Sequence, residues 1–269
     1  MINIDLEKCT GCGTCVKDCF SRNLCIKDKK AHLVDAECNR CGHCVAICPA
    51  DAVEITEYDM ADVVAVPDQG IAPNELSVFI KARRSIRQFK DKSIEAKLIE
   101  QIIEAGRYTP TASNRQEHTF IVVEKEMQPF RALVMKNLAN EGRAMLASDE
   151  TPLRMKGYAQ RWIDAEKAFI KDPSLTDMLF FDAPVVILIA GDHPVDTGLA
   201  ASNMELVACA QELGVLYSGF ITRGAVGEEV KALVGIPAEK EVLMSMLFGY
   251  PDVWYQRTAP RKPADIVWA

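Results

Sequence analysis

Residues 8–20 read KCTGCGTCVKDCF and residues 37–50 read ECNRCGHCVAICPA. The first stretch carries Cys9, Cys12, Cys15 and Cys19; the second carries Cys38, Cys41, Cys44 and Cys48, followed by Pro49. Both repeat C-x2-C-x2-C-x3-C. Spacers this short let three thiolates converge on one face of a compact inorganic core while the fourth reaches elsewhere. Structural zinc competes weakly as a reading, because it uses pairs of close ligands separated by a longer loop and has no need of a third cysteine at the same spacing. Disulfides suit small secreted chains, and this one starts MINIDLEK with no apolar leader.

The pattern resembles that of the bacterial two-cluster ferredoxins, over roughly the first 55 residues. In that pattern the fourth cysteine of each run ligates the other run's cluster. The resemblance therefore implies one [4Fe-4S] cluster on Cys9, Cys12, Cys15 and Cys48, and a second on Cys38, Cys41, Cys44 and Cys19. Phe20 departs from the pattern by following Cys19 where a proline often stands; it touches a turn, not a ligand. Between the runs, NLCIKDKKAHLVD reads as two short strands joined by a polar Asp28-Lys29-Lys30 turn. Cys25 reads there as a small buried hydrophobe, since eight ligand positions are already filled.

At 269 residues the length suits about two domains, or one larger one. A hydrophobic share of 49% is ordinary for a globular chain and allows a sizeable core. The formal charge of −7 argues against nucleic acid or an anionic membrane as a general partner. No apolar run approaches the ~20 residues of a membrane helix. A reducing cytoplasm is the expected home. Residues 1–56 are expected to form the cluster domain, 57–73 a linker marked by Pro67, Gly70 and Pro73, and 74–269 a second domain.

Helical and strand patterns alternate in that second domain. ELSVFIKAR predicts a short helix capped by Asn74. Ser93 opens IEAKLIEQIIEAGRY, where Ile94, Leu98, Ile102 and Ala105 recur at helical spacing. His118–Glu124 predicts a strand, and Pro129–Ile170 a helical stretch punctuated by Pro152 and Gly157. Ala183–Gly191 (APVVILIAG) predicts a strand buried on both faces. Then follow a helix over Asp196–Leu213, GVLYSGFIT as a strand or strand-like loop, a helix over Glu228–Val234 stopped by Gly235, and a strand over Glu241–Tyr250. Mixed elements without a regular βαβ rhythm predict an α+β fold. No G-x-G-x-x-G follows a strand, which argues against a dinucleotide held on a Rossmann unit.

Two stretches carry binding chemistry. ARRSIRQFKDK sets Arg83, Arg84 and Arg87 with Ser85 inside five residues. Guanidinium forks and a hydroxyl match a phosphate dianion. A solvated basic helix end is the plain alternative. Arg83 and Arg87 would share a face if the turn stayed helical. AGRYTPTASNRQEHTFIVV then places a small polar loop, Thr111 to Asn114, behind the helix-stopping Pro110.

In order, R-R-S-x-R-x-F, T-P-T-A-S-N-R-Q, D-A-P-V-V-I-L-I, A-A-S-N-M-E-L-V-A-C-A-Q-E-L-G, L-F-G-Y-P and a terminal R-K resemble the FMN-dependent nitroreductase family over residues ~74–269. The whole chain resembles a ferredoxin–nitroreductase fusion: a small two-cluster domain, then a mixed sheet with flanking helices. The resemblance implies that Arg83, Ser85 and Arg87, with Arg84 alongside, hold the FMN phosphate, completed by Arg261 and Lys262. Pro110, Thr111, Ala112, Ser113 and Asn114, with Gln116, would line the isoalloxazine and ribityl chain. Tyr217, Ser218 and Gly219 would give backbone contacts near flavin N5. No general acid or base is assigned, and a homodimer is implied.

The expected function is a flavin oxidoreductase: ferredoxin-type clusters or NAD(P)H supply electrons, FMN collects them, and a nitroaromatic, quinone or enone receives them. Reduced ferredoxin is a candidate external donor. An electron relay docking to a partner enzyme, with no small-molecule substrate of its own, is the alternative. Dehydrogenation or reductive dehalogenation on the same fold is a third reading. Cys209 and Trp162, Trp254 and Trp268 read as packing residues, and His32, His43, His118 and His193 as scattered structural groups.

Overall fold

The computed structural model describes residues 1–34, 38–66, 70–175 and 177–269. Asp35, at the end of the second predicted strand, and Pro67, in the predicted linker, lie outside the described residues. Two compact units result: Met1–Ile71 with Thr111–Arg115, and Ala72–Pro110 with Gln116–Ala269.

The first unit runs β1 (Ile2–Ile4), α1 (Thr14–Asp18), β2 (Leu24–Lys27), β3 (Lys30–Leu33), α2 (His43–Ala46) and β4 (Val53–Ile55). β1 pairs antiparallel with β4, so the two ends of the cysteine-rich segment close on each other. β2 and β3 form the expected hairpin, but its turn is only Asp28-Lys29; Lys30 already pairs with Lys27. Both turn residues take positive φ, 49° and 61°, as a two-residue hairpin turn requires. Cys25 is half-buried in β2 rather than buried. Ile2, Leu24, Ala31, Val53 and Ile55 pack around the sulfurs of Cys9, Cys15 and Cys44. So small an apolar core calls for a staple, and metal is one that small domains use.

The second unit continues with α3 (Pro73–Ala82), α4 (Ala96–Arg107), β5 (Thr119–Val123), α5 (Met127–Ala147), α6 (Leu153–Lys171), β6 (Val185–Gly191), α7 (Pro194–Ala210), β7 (Gly214–Tyr217), α8 (Gly219–Gly224), α9 (Glu228–Val234) and β8 (Glu241–Gly249). The sheet order is β5-β6-β8-β7, antiparallel at each of these pairings. A parallel bridge from Ser85 to Val215 supplies the mixed character expected of the sheet.

Every residue of β6 is buried. Val186, Leu188 and Ala190 face one core with Phe130, Val134, Leu138 and Trp162; Val185, Ile187 and Ile189 face another with Ile99, Ile102, Ala201 and Met204. The sheet is thus a filling between α5/α6/α8/α9 and α4/α7, and a fully apolar strand is what two covered faces demand.

Several expectations shift by local chemistry. Asn74 does not cap α3: Pro73 takes the first helical position, where its missing N–H costs nothing, and Ala72 is the cap. The next helix starts at Ala96, not Ser93, and Ile94 is buried ahead of it. GVLYSGFIT splits after Tyr217, because Ser218 accepts a hydrogen bond from Ile221 N (3.3 Å) and starts α8. Trp162 is buried, but Trp254 and Trp268 are exposed rather than packed. No helix among the described residues is long and apolar enough to cross a membrane.

Candidate functional site

Two matching half-sites hold the cysteines. α1 buries Cys15 and α2 buries Cys44, and each short helix follows a left-handed glycine, Gly13 or Gly42. Gly11, between Cys9 and Cys12, has φ +69°, and a Cβ there would run into the Lys29 carbonyl. The loop of the first run therefore needs glycine at this point.

The electrostatics sort the sulfurs into groups. Burial pushes the Cys15 thiol up, and the neighbouring Cys48 and Cys12 push it further. Cys44 is pushed up to about 11 by burial first, then by Cys38 and Cys41. Cys48 thus stands with the first run, although it belongs in sequence to the second. Backbone N–H groups point at four further sulfurs: Ala31 at Cys9 (3.4 Å), Asn23 at Cys19, Arg40 at Cys38 and Ala52 at Cys48 (3.3 Å each). Thiolates collect such donors, and donors to sulfur tune cluster potentials. All ten cysteines are free of disulfides. Among the described residues no three His, Cys, Asp or Glu side chains close on a single ion. His43 Nδ1 meets Asp18 Oδ2 at 3.0 Å, tying α2 to α1.

The arginine segment of the second unit is extended, not helical. α3 ends at Ala82, and Arg83 has φ −59°, ψ 147°. No helical turn therefore joins Arg83 to Arg87; pairing with β7 decides the conformation instead. Ser85 bridges Val215, and Ile86 N donates to Val215 O at 3.0 Å. Further along, Phe89 bridges Pro251, Lys90 N donates to Tyr250 O (2.8 Å), and Asp252 N donates to Gln88 O (2.9 Å). Gly214 makes the approach possible, since a Cβ there would lie 2.7 Å from Ile86 Cγ1. The segment is fastened at Ser85-Ile86 and again at Gln88 to Lys90, with Arg87 between the two fastenings and Arg83 and Arg84 just ahead of the first.

Arg84 Nη1 donates to the carbonyls of Lys81 (3.0 Å) and Arg83 (2.5 Å), while its Nη2 is buried with no partner among the described residues. An orphaned guanidinium donor is costly unless an acceptor arrives, and a phosphate oxygen is such an acceptor. The strand that Ser85 joins leads directly into Tyr217, Ser218 and Gly219, so the structure brings these two predicted groups together. A Cβ at Gly219 would meet nothing within 4 Å, leaving open space at that turn.

Thr111 to Arg115 group with the first unit and Pro110 with the second. Asn114 Nδ2 donates to the carbonyls of Asn39 (3.1 Å) and Arg40 (3.0 Å). Ser113, Asn114 and Gln116 all take positive φ, 53°, 55° and 52°. Strain of this kind concentrates at functional sites. Arg261 and Lys262 lie exposed in the tail, where Arg261 Nη1 donates to the Pro260 carbonyl (3.2 Å). Among the described residues neither makes a hydrogen bond to the arginine segment.

Two residues not picked out from sequence hold this region. Asn203 Nδ2 donates to Thr109 Oγ1 (2.9 Å), anchoring the chain before Pro110. Glu205, 4% exposed, accepts from Arg83 Nη1 (3.1 Å) and stands 3.3 Å from the Tyr217 hydroxyl. Burial pushes its carboxyl above the usual range, and Arg83 and Tyr217 pull it back. A glutamate among core-facing alanines is the signal that could have found it.

A sulfur-lined unit built for iron–sulfur clusters and, in the same chain, an α+β unit with a fastened arginine segment define an iron–sulfur oxidoreductase. Residues 80–250 match the nitroreductase family model, and residues 1–60 match that of a 4Fe-4S dicluster domain. The chain belongs to the nitroreductase family.

Human iodotyrosine deiodinase 1 is 25% identical over 213 residues, 71% of this chain and 66% of that protein. The chain thus spans just under two thirds of that relative's length. An NADPH-dependent oxidoreductase of Staphylococcus haemolyticus is 23% identical over 70% of each chain. Among solved structures, a Bacteroides fragilis nitroreductase with bound FMN superposes with a TM-score of 0.54 at 23% identity, covering 72% of this chain and 99% of its own.

Proposed function

We propose that the chain is an iron–sulfur flavoprotein that passes electrons from two [4Fe-4S] clusters, or from NAD(P)H, through FMN to an organic acceptor such as a nitroaromatic, quinone or enone. The single observation that carries the flavin reading is the arginine segment clamped against β7, with Arg84 Nη2 buried and awaiting an acceptor. Family membership and a structural relative solved with FMN support the same cofactor. The grouping of Cys15 with Cys12 and Cys48, and of Cys44 with Cys38 and Cys41, supports the crossed ligand sets, with Cys9 completing the first and Cys19 the second.

When bound, FMN supplies the coupling of one-electron donors to two-electron reduction. The chain's own part is to hold and orient. Arg83, Arg84, Ser85 and Arg87 would take the phosphate, aided by Arg261 and Lys262. Pro110, Thr111, Ala112, Ser113, Asn114 and Gln116 would line the ring and ribityl chain, and backbone at Tyr217, Ser218 and Gly219 would meet the N5 side. Residues 1–56 would form the cluster domain and 74–269 the flavin domain, joined by 57–73 and acting as a homodimer. Eight cysteines committed to clusters rather than to disulfides support a reducing, cytoplasmic home.

Anaerobic turnover with a nitroarene and a chemical reductant tests the reading. Turnover by the wild type, lost together with flavin in Arg87→Ala, is expected. A reducible flavin without turnover would point to an electron relay, and full flavin occupancy in Arg87→Ala would remove the phosphate assignment. The deiodinase match favours a second reading, reductive dehalogenation of an aromatic halide. Halide release from a haloarene under the same conditions would select it.

A further inference from the structure

We propose that Glu205 couples FMN binding to proton uptake: when Arg83 engages a phosphate dianion, the Glu205 carboxyl takes a proton from solvent. Glu205 is then a positioning residue for the phosphate end of the cofactor, a role that rests on Arg83 being a phosphate contact.

The argument starts from the bonding pattern. Glu205 sits on α7 inside the second unit, and its Oε1 accepts from Arg83 Nη1 at 3.1 Å. The Arg83 side chain is 35% exposed while that of Glu205 is 5% exposed, so the guanidinium links a buried anion to the surface. Oε2 stands 3.3 Å from the Tyr217 hydroxyl, and that hydroxyl is 2.9 Å from the Ala201 carbonyl. A phenol has one proton to give. Given to Glu205, it satisfies a carboxylate. Given to Ala201, it turns a lone pair toward Oε2, which satisfies a carboxylic acid donating to Tyr217. The surroundings therefore accommodate Glu205 in both protonation states.

The titratable and charged groups that bear on Glu205 are Arg83 from the segment after α3, Tyr217 from β7 and Cys209 one turn along α7. Arg83 is the cation among them, and its charge and hydrogen bond oppose the upward push of burial on the carboxyl. A phosphate dianion at Arg83 both claims the guanidinium and adds negative charge beside the carboxylate. Each effect favours the protonated acid. The proton comes from the buffer, and no other group of the protein changes charge in this step.

Calorimetric titration of the flavin-stripped full chain with FMN, in two buffers of different ionisation enthalpy, counts the protons. Glu205→Gln provides the reference, because the titration of FMN's own phosphate contributes equally to both proteins. The wild type is expected to take up as much as about one proton more than Glu205→Gln. Its FMN affinity should fall, relative to the variant, by up to about tenfold per pH unit as pH rises through the window between the free and bound values of Glu205. Equal proton counts and parallel pH profiles would overturn the proposal. Should Glu205→Gln fail to fold, wild-type titrations at a pH well above the second phosphate pKa of about 6, where FMN is already a dianion, decide. Riboflavin, lacking the phosphate, should bind without the extra proton, and equal uptake with both ligands would overturn it. Undiminished FMN affinity in Arg83→Ala is a separate result, which removes the underlying phosphate assignment.

Discussion

Replacing Gly214 by alanine places a Cβ 2.7 Å from Ile86 Cγ1 and 2.9 Å from both Cβ and Cγ2 of that residue. Ile86 is itself 7% exposed and cannot swing into solvent. Overpacking of this kind costs about 1–3 kcal/mol. If the segment lifts instead, the Ile86 N to Val215 O bond goes as well, adding about 0.5–1.5 kcal/mol. A total of about 1.5–4.5 kcal/mol corresponds to a melting point lower by roughly 3–18 °C in a domain of this size. Arg83 to Arg87 are carried on the displaced segment, so FMN affinity should fall too, roughly thirtyfold for a cost of about 2 kcal/mol. Thermal unfolding and fluorescence titration with FMN read the two effects on the same samples. Gly157→Ala is the control: Gly157 lies within α6 with nothing within 4 Å of the added Cβ, and the exchange should stabilise by about 0.5–1 kcal/mol. A Gly214→Ala protein with unchanged melting point and unchanged FMN affinity would refute the claim that close approach to β7 builds the phosphate site.

Cys48→Ser should lower iron and sulfide by about half, with the loss falling on the cluster that Cys12 and Cys15 serve; iron quantitation with cluster EPR checks this, and loss confined to the Cys38/Cys41/Cys44 cluster would count against crossed ligation. His118, whose imidazole burial holds below its ordinary value despite Asp196 nearby, should make stability pH-dependent in a definite direction. Its contribution is full above the ordinary histidine value and is lost as pH falls through the depressed folded value, because the unfolded chain takes up the proton first. Denaturant titrations across this range should show the fall in the wild type and a flatter profile in His118→Gln.

What was legible in the sequence was local. The cysteine runs announce their chemistry because their ligands lie two and three residues apart, and β6 announces its burial because every residue from Val185 to Gly191 is apolar. α9 and its Gly235 stop were readable for the same reason. What was not legible depends on partners far away in the chain. Whether Arg83 to Arg87 coil or extend is decided by Val215 and Pro251, and periodicity within the segment says nothing of either. The Arg83–Glu205 pair spans 122 positions and the Thr109–Asn203 bond 94. The break after Tyr217 was readable in principle from Ser218, a good helix cap. An apolar run on either side hid it.

Iron, acid-labile sulfide and flavin, quantified in anaerobically purified protein alongside its visible spectrum, bear most directly on the central claim that the thiol-lined unit feeds a flavin unit. The account predicts about eight iron and eight sulfide per chain with about one FMN. Zinc in place of iron, or a preparation with no flavin, would contradict it.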